Sequence, residues 1–285
     1  MPDFRFAPVQ HDPATLAQYG ALFAACFPGT DKFTPAYLDW LYLANPDGQA
    51  VGYDAWDGER LAAHYVCVPA RAWVEGKEAL VLLSLNTATH PDYQGKGLFT
   101  KLAAMTYAHG AEKGFEGCYG VANANSTPGF IRKLGFQLVR PLEARVGLGR
   151  LRHAPKAPAA SLSFERSWTP EALAWRCANP HNRVARRASG ARLQFHAPAV
   201  NGVPAYAELD AAGLADGATK GPAPSPIRLF IGLAPDASSR YWNYASIPMR
   251  LRPSPLNLIW RAFTPRAPQL DPARIQFTFL DFDAY

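Results

Sequence analysis

The chain has 285 residues, of which 48% are hydrophobic, and a formal net charge of +6 at pH 7. This length can hold two domains or one large one, and the apolar fraction suffices for a packed core. No apolar run reaches the length of a membrane-spanning helix, and the first residues do not form a signal peptide, so we predict no membrane association.

Cysteine usage narrows the class of protein further. Cys26, Cys67, Cys118 and Cys177 are scattered without paired spacing. This argues against a zinc site and against a disulfide scaffold, and it favours a reducing cytoplasm. We therefore predict a cytoplasmic protein without a metal, and the Ala-, Arg- and Pro-rich composition is compatible with a bacterial source.

The most informative segment is residues 90–99, His-Pro-Asp-Tyr-Gln-Gly-Lys-Gly-Leu-Phe. It lies between a strand predicted at 79–89 and a helix predicted at 100–113. Free backbone N–H groups and the dipole of the helix N-terminus favour an anion at such a place. Gly95 and Gly97 have no Cβ, so a pyrophosphate can approach the main chain. The segment therefore predicts a phosphate-bearing ligand.

Two nucleotide loops do not fit this segment. A P-loop requires Ser or Thr directly after its Gly-Lys, where this chain has Gly97. The dinucleotide fingerprint requires a third glycine, which residues 98–100 do not supply. The pattern Gln94-Gly95-Lys96-Gly97-Leu98-Phe99 instead resembles the acyl-CoA pyrophosphate loop of the GNAT acyltransferase superfamily. Phe99 departs from that pattern, which usually has glycine or alanine there.

A second segment, Asn123–Phe136, follows a short strand predicted at 117–121. Ser126 is a predicted helix N-cap, and Gly135 is predicted to end that helix. A strand at 137–148 is expected to return to the sheet. The segment resembles the superfamily's second motif, where a strand splays from its neighbour and the pantetheine arm of CoA fills the gap. The resemblance covers roughly residues 75–140.

The resemblance implies which residues bind the cofactor. The expected co-substrate is acetyl-CoA, with no metal. The expected cofactor-binding residues lie on the strand end, the glycine loop and the second motif, and they are Thr87, Thr89, Gln94, Gly95, Lys96, Gly97, Leu98, Phe99, Asn125 and Ser126.

The chain also repeats itself. Residues 33–40, Phe-Thr-Pro-Ala-Tyr-Leu-Asp-Trp, are echoed by residues 168–175, Trp-Thr-Pro-Glu-Ala-Leu-Ala-Trp, and each copy is followed by Ala-Asn-Pro. Such a repeat indicates a duplicated structural unit. Alternatively, a capped helix followed by Asn-Pro is a common local pattern that arises without duplication. Residues 152–160 have the composition of a linker. We predict a GNAT-like acyl-CoA-binding domain at 1–150 and a degenerate GNAT-like domain at 163–285.

The predicted fold class is α/β, with a mixed central sheet flanked by helices and a second GNAT-like half that lacks the CoA loop. The place of the loop is taken by the Gly-, Ala- and Pro-rich segment 213–226, and strands are predicted at 227–233, 256–263 and 275–280. Two tandem GNAT-like units are similar to the architecture of Eis-like and Fem-type acyltransferases.

The positive charge lies in the second half. Residues 1–150 have 13 basic and 14 acidic side chains, whereas residues 151–285 have 16 and 9. A basic surface attracts anionic partners, although it is also an ordinary solvated surface in an arginine-rich protein. The basic segments show no interleaving with aromatic residues of the kind that stacks on RNA, so we do not expect a nucleic acid.

The catalytic residues stay unknown at this stage. The resemblance places an oxyanion-binding N–H near residues 87–89, but the second-motif helix has Phe130 and Ile131 where a tyrosine acid is usual, and residues 79–89 include no glutamate base. The remaining candidates are polar groups near the expected site or the chain end: His90, Asn86, Asp31, Asp281, Asp283 and the carboxylate of Tyr285, since Eis-like enzymes use their chain terminus.

Three functions are consistent with the sequence. The first is an acyl-CoA-dependent N-acyltransferase that moves an acetyl group to a small amine, for which an anionic amino sugar of a surface-polysaccharide precursor would suit the basic half. The second is a Fem-type aminoacyl transferase, against which the intact loop argues. The third is a non-catalytic module that binds or senses acyl-CoA. The sequence leaves the oligomeric state open.

Overall fold

The computed structural model describes residues 3–151, 161–214, 225–235 and 243–283. The predicted linker, most of the loop that replaces the glycine segment, and Tyr285 lie outside these ranges. The helices are α1 Pro13–Cys26, α2 Pro35–Tyr42, α3 Leu98–Glu112, α4 Thr127–Leu134 and α5 Pro170–Cys177. The strands are β1 Arg5–Pro8, β2 Val51–Asp57, β3 Arg60–Val74, β4 Lys77–Thr89, β5 Gly117–Ala122, β6 Gln137–Pro141, β7 Glu143–Leu148, β8 Phe164–Arg166, β9 Ala185–Ser189, β10 Arg192–Ala197, β11 Ala205–Asp210, β12 Ile227–Leu233, β13 Tyr244–Ser246, β14 Asn257–Ala262 and β15 Phe277–Thr278.

Two mixed sheets share one strand order. The first runs β1-β2-β3-β4-β5-β14-β6, with β8 beside β3, and the second runs β13-β7-β12-β11-β10-β9, with β15 beside β12. In the first sheet only β4 and β5 are parallel, and in the second only β11 and β12 are. The series β2 to β5 therefore corresponds strand by strand to the series β9 to β12, as a duplicated unit requires.

The two sheets exchange one strand each. β14 comes from the second half of the sequence and lies between β5 and β6 of the first sheet. β7 comes from the first half and lies between β12 and β13 of the second sheet. Each sheet is thus completed by a strand from the other half of the sequence. The domain limits of 1–150 and 163–285 stay a prediction.

The exchange corrects one predicted element. Residues 137–148 were expected to form a single strand, but they form β6 and β7, which belong to different sheets. Pro141 ends β6 because it has no N–H to continue the ladder. The next residue, Leu142, is buried and donates its N–H to the Leu256 carbonyl at 2.7 Å, so the chain turns there toward the second sheet.

Helices cover both faces of the first sheet because successive residues of a strand point to opposite sides. Val81 and Leu83 pack on the face that carries α1 and α2, and this core continues into the second sheet. Leu82 packs on the other face with α3 and α4. None of the helices in the described ranges is long and apolar enough to span a membrane.

The repeated helices α2 and α5 pack against each other about an approximate twofold axis. The side chains of Thr34 and Thr169 cap the two helices with matching bonds of 3.2 Å. The indole Nε1 of Trp40 donates to the Trp175 carbonyl at 2.8 Å, and the Trp175 indole donates to the Trp40 carbonyl at 2.8 Å. The two rings stack at 4.8 Å between centroids. A contact in which two equivalent residues make the same hydrogen bond to each other is typical of twofold symmetry.

We expect Trp40→Phe and Trp175→Phe to lower the free energy of unfolding by similar amounts, about 1 kcal/mol each, because each removes one of two equivalent, partly buried hydrogen bonds. Trp73→Phe serves as a control, since its half-buried indole makes no hydrogen bond to a described residue. Urea denaturation measures all three, and equal losses in all would contradict the symmetric contact.

Candidate functional site

A groove of about 720 Å³ opens where β4 ends and α3 begins. Every cofactor-binding residue predicted from the sequence except Ser126 lines it. Its lining residues come from the end of α1, the end of β4, the glycine loop, the start of α3 and the α4 region: Cys26, Phe27, Thr87, Ala88, Thr89, Tyr93, Gln94, Gly95, Lys96, Gly97, Leu98, Phe99, Thr100, Asn125 and Lys133.

The glycine loop forms the polar end of this groove. Gly95 has φ 77° and Gly97 has φ 75°, in the left-handed region that favours glycine. A Cβ at either position would meet no atom within 4 Å, so the main chain is open to a ligand. The N–H groups at positions 98–100, the first turn of α3, make no hydrogen bond within the described part of the chain. Free N–H groups and the helix dipole together favour an anion at this end of the groove.

Two lysines add positive charge to the groove. Lys96 lies in the loop, with its Nζ 4.7 Å from the centroid of the Tyr93 ring and 3.4 Å from the Asp92 carbonyl. Lys133 reaches the groove from α4. A ligand with several phosphate charges would meet both lysines as well as the helix terminus.

The long side of the groove follows the divergence of β4 and β5. The parallel ladder pairs Leu82 with Cys118, Leu83 with Tyr119 and Ser84 with Gly120, and it ends there, although β4 continues to residue 89 and β5 to residue 122. The edge of β4 at 85–89 therefore offers main-chain groups to an extended ligand.

A bulge interrupts β4 at this divergence. Its pairing with β3 shifts register between His64 and Val66, opposite Asn86 and Thr87. Asn86 has φ 46°, which is rare for a residue with a side chain and is tolerated best by Asn and Asp. The bulge turns the main chain of 87–89 at the inner end of the groove, where the sequence predicts an oxyanion-binding N–H.

The second motif forms another wall of the groove. Asn125 lines it, whereas Ser126 makes hydrogen bonds to Asn123, including an N–H bond of 2.9 Å and an Oγ bond of 3.0 Å to the Asn123 carboxamide oxygen. Ser126 thus shapes the turn and does not cap α4 with its side chain. Gly135 ends α4 in the left-handed conformation at φ 68°, as predicted.

Two phenylalanines distinguish this groove from the expected pattern. Phe99 packs edge-on against Phe130 at 5.3 Å and against Tyr65 at 5.9 Å between centroids. Phe99 therefore fills the space between α3 and α4 with an apolar ring. Phe130 is buried, so the face of α4 next to the groove has no phenol to donate a proton.

The acidic and histidine candidates for catalysis lie outside the groove lining. His90 accepts a hydrogen bond from the Asp92 N–H at 3.3 Å, and its ring lies 3.1 Å from Arg60. The Asp31 side chain is 97% exposed. The sequence patterns around His90 and Asp31 are those of turns.

The two aspartates near the chain end are buried in structural networks. Asp281 accepts hydrogen bonds from the Thr278 N–H at 2.6 Å and the Trp168 indole at 3.2 Å, and burial raises its pKa to about 6. Asp283 binds Lys32 at 2.8 Å and Tyr37. Burial raises the pKa of Asp283, but the nearby Lys32 and Arg176 charges outweigh it and hold the pKa below its usual range.

Sequence reasoning missed part of the lining. Cys26, Phe27, Tyr93, Thr100 and Lys133 were not predicted, and Cys26 and Phe27 reach the groove because α1 ends against β4. The Cys26 thiol donates to the Thr89 carbonyl at 3.3 Å, and burial raises its pKa. The thiol is therefore held as a neutral donor and is a poor nucleophile.

Comparisons with known proteins agree with this geometry. The model of the acetyltransferase (GNAT) domain family matches residues 11–139. A GCN5-related N-acetyltransferase from Kribbella flavida is 13% identical over 91% of this chain and 71% of that one, with a TM-score of 0.59. Eis1 from Mycobacterium abscessus is 11% identical over 91% and 73%, with a TM-score of 0.55. At these identities the two structures show the shared fold alone.

None of the curated proteins matches the sequence significantly. The matched segment, 11–139, contains the glycine loop, the divergent strands β4 and β5 and the second motif. Residues 11–139 of the chain thus match the acetyltransferase (GNAT) domain family.

Proposed function

We propose that the protein is an acyl-CoA-dependent N-acyltransferase that moves an acetyl group from acetyl-CoA to a small primary amine. The observation that carries the proposal is the single groove that joins the anion site at Gly95–Gly97 to the divergent edge of β4. A pyrophosphate at one end and an amide-bearing arm along the other match the two halves of CoA.

The charges and the main chain support this placement of the donor. The pyrophosphate would meet the first turn of α3, Lys96 and Lys133. The pantetheine amides would pair with the open edge of β4 at 85–89. The thioester carbonyl would then lie near Thr87–Thr89, where a main-chain N–H stabilises the developing oxyanion.

The chemistry proposed here is direct attack with catalysis by positioning. An acyl-cysteine intermediate is disfavoured because the raised pKa of Cys26 keeps its thiol protonated. Phe130 supplies no acid for the leaving thiolate. Water would accept the proton of the amine and return one to the thiolate.

The acceptor we propose is a small amine on an anionic molecule, such as an amino sugar of a surface-polysaccharide precursor in a bacterial cytoplasm. The basic second half supports an anionic acceptor, since its formal charge is +7 against −1 for residues 1–150. The division of labour is then a cofactor-binding first half and an acceptor-shaping second half.

A second candidate is a non-catalytic module that senses acyl-CoA. The phenylalanine at position 130, where a tyrosine acid is usual, favours it, as does the lack of a glutamate at residues 79–89. A Fem-type aminoacyl transferase is disfavoured because the intact loop suits CoA.

Gly97→Leu is expected to abolish CoA binding while the fold persists, since the new side chain would occupy the open space above the loop. Its matched control is Gly114→Leu, at the other end of α3, where φ is 83° and the space is equally open. Both variants should lose similar stability from the left-handed backbone, about 1–2 kcal/mol. Calorimetric titration with CoA separates them, and wild-type affinity in Gly97→Leu would contradict the placement.

Acetyl-CoA should protect Cys26 from alkylation by N-ethylmaleimide, because the thiol lines the groove. Cys177 is the control: it is also half-buried with a pKa raised by burial, but it lies outside the groove lining. Peptide mass spectrometry of timed samples measures both rates. Labelling of both thiols should rise with pH as they ionise, and equal protection of both would argue against an occupied groove.

Thiol release from acetyl-CoA in the presence of an amine panel distinguishes the two candidate functions. We expect at least one amine to accelerate release well above the rate without protein. If acetyl-CoA raises the melting temperature but no amine accelerates release, the sensing module gains and the transferase is wrong.

A further inference from the structure

A buried chain of hydrogen bonds runs from the interior of the first sheet to Asn86, beside the groove. His64 Nδ1 lies 2.7 Å from the Asp54 carboxylate, and His64 Nε2 lies 3.0 Å from the Tyr42 hydroxyl. The Asn86 amide nitrogen donates to that hydroxyl at 3.1 Å. His64 and Tyr42 are fully buried and Asp54 is 1% exposed, whereas Asn86 is half-buried.

The tautomer of His64 sets the direction of these bonds. Asp54 also accepts from the Tyr19 hydroxyl at 2.7 Å, so both of its oxygens act as acceptors. With the imidazole of His64 as its Nδ1–H tautomer, Nδ1 donates to Asp54 and Nε2 accepts the single hydroxyl proton of Tyr42. The Tyr42 oxygen is left as an acceptor, and Asn86 must turn its Nδ2 toward it. Every donor in the chain points toward Asp54.

The surroundings keep this direction fixed. Tyr19 packs over the His64 ring at 4.1 Å between centroids, and Phe23 packs edge-on at 5.6 Å. His11 packs edge-on against Tyr42, and burial lowers the pKa of His11. Burial raises the pKa of Tyr42, so the phenol stays protonated. The carboxyl group of this chain, on Asp54, lies at the far end from the groove.

This direction of the hydrogen bonds leaves an acceptor oxygen available on Asn86. With Nδ2 engaged by Tyr42, its Oδ1 makes no hydrogen bond within the described part of the chain. Asn86 directly precedes Thr87, which lines the groove, and it sits in the bulge with φ 46°. Strained backbone inside a strand persists where the surrounding contacts enforce it. The network therefore fixes a hydrogen-bond acceptor beside the stretch where the thioester is placed.

We propose that Asn86 Oδ1 binds an N–H of the acceptor amine, and that Asp54, His64 and Tyr42 are positioning residues that hold the amide in this orientation. The inference rests on the proposed transferase function and names a residue of its acceptor subsite. A neutral acceptor oxygen holds the amine by its hydrogen and leaves the nitrogen lone pair free for the thioester. It takes no proton, so the reaction uses the neutral amine, and water removes the proton after attack.

The test uses acetyl-CoA with glucosamine 6-phosphate, glucosamine, tyramine and spermidine as probes, so that the panel includes an anionic amino sugar, and follows the probe that the wild-type protein acetylates best. Asn86→Ala should raise the KM for that amine about tenfold, as expected for loss of one hydrogen bond, with unchanged affinity for CoA. Tyr42→Phe should raise the same KM by a smaller factor, because the amide loses its partner and can rotate.

Asn86→Asp distinguishes binding of the amine from a purely structural role of Asn86, which would not shift the pH–rate profile. Asp tolerates the left-handed backbone as Asn does, but its charge binds the ammonium form. We expect the KM to hold or fall while kcat falls, and the pH–rate profile to move to higher pH. Asn201→Ala is the control for strain, since Asn201 also has a positive φ, 52°, and lies in the second half. It should change stability alone.

The outcomes separate this inference from the function beneath it. If the protein binds CoA and acetylates an amine, but Asn86→Ala leaves its KM unchanged, the role of Asn86 is wrong and the transferase stands. A KM increase in Asn201→Ala equal to that in Asn86→Ala would also overturn the inference. If CoA binds and no probe is acetylated, both the transferase and the acceptor role of Asn86 are overturned.

Discussion

The structure depends on the exchange of β7 and β14 between the two sheets. A strand gains its hydrogen-bonding partners only beside neighbours on both edges, and each of these strands finds them in the other half of the chain. The stacked indoles of Trp40 and Trp175 lie on the approximate twofold axis of the same arrangement. The groove is affected directly, because β14 pairs along the whole of β5 and so fixes the far side of the divergence from β4.

Local features of the fold could be predicted from the sequence. The threonine caps at Thr34 and Thr169, the left-handed end of α4 at Gly135 and the open loop at Gly95–Gly97 each depend on a few neighbouring residues. The repeat was visible because both copies kept the cap and the tryptophan that the symmetric contact needs. The prediction of a GNAT fold is confirmed by the family match over residues 11–139, and the shared strand order of the two sheets is consistent with a two-half arrangement.

Other features depend on contacts between distant residues. Pro141 interrupts residues 137–148, but nothing in the local sequence indicates that the two pieces belong to different sheets. Cys26 and Lys133 lie far from the glycine loop in sequence and meet it only through packing. The chain from Asp54 to Asn86 joins β2, β3, α2 and β4, and a buried His or Tyr has no local signature that distinguishes it from ordinary core.

Strand exchange has a consequence for synthesis on the ribosome. The first sheet cannot be completed until residues 257–262 have left the exit tunnel, although β6 ends at residue 141. At about 10 residues per second, that gap lasts roughly 10 seconds. During this interval β5 lacks the strand that will pair along its edge, and such an edge is a template for aggregation. The exposed edge of β5 lies in the region that later forms the groove. The need for chaperones during translation therefore depends on how far β14 follows β6 in the sequence.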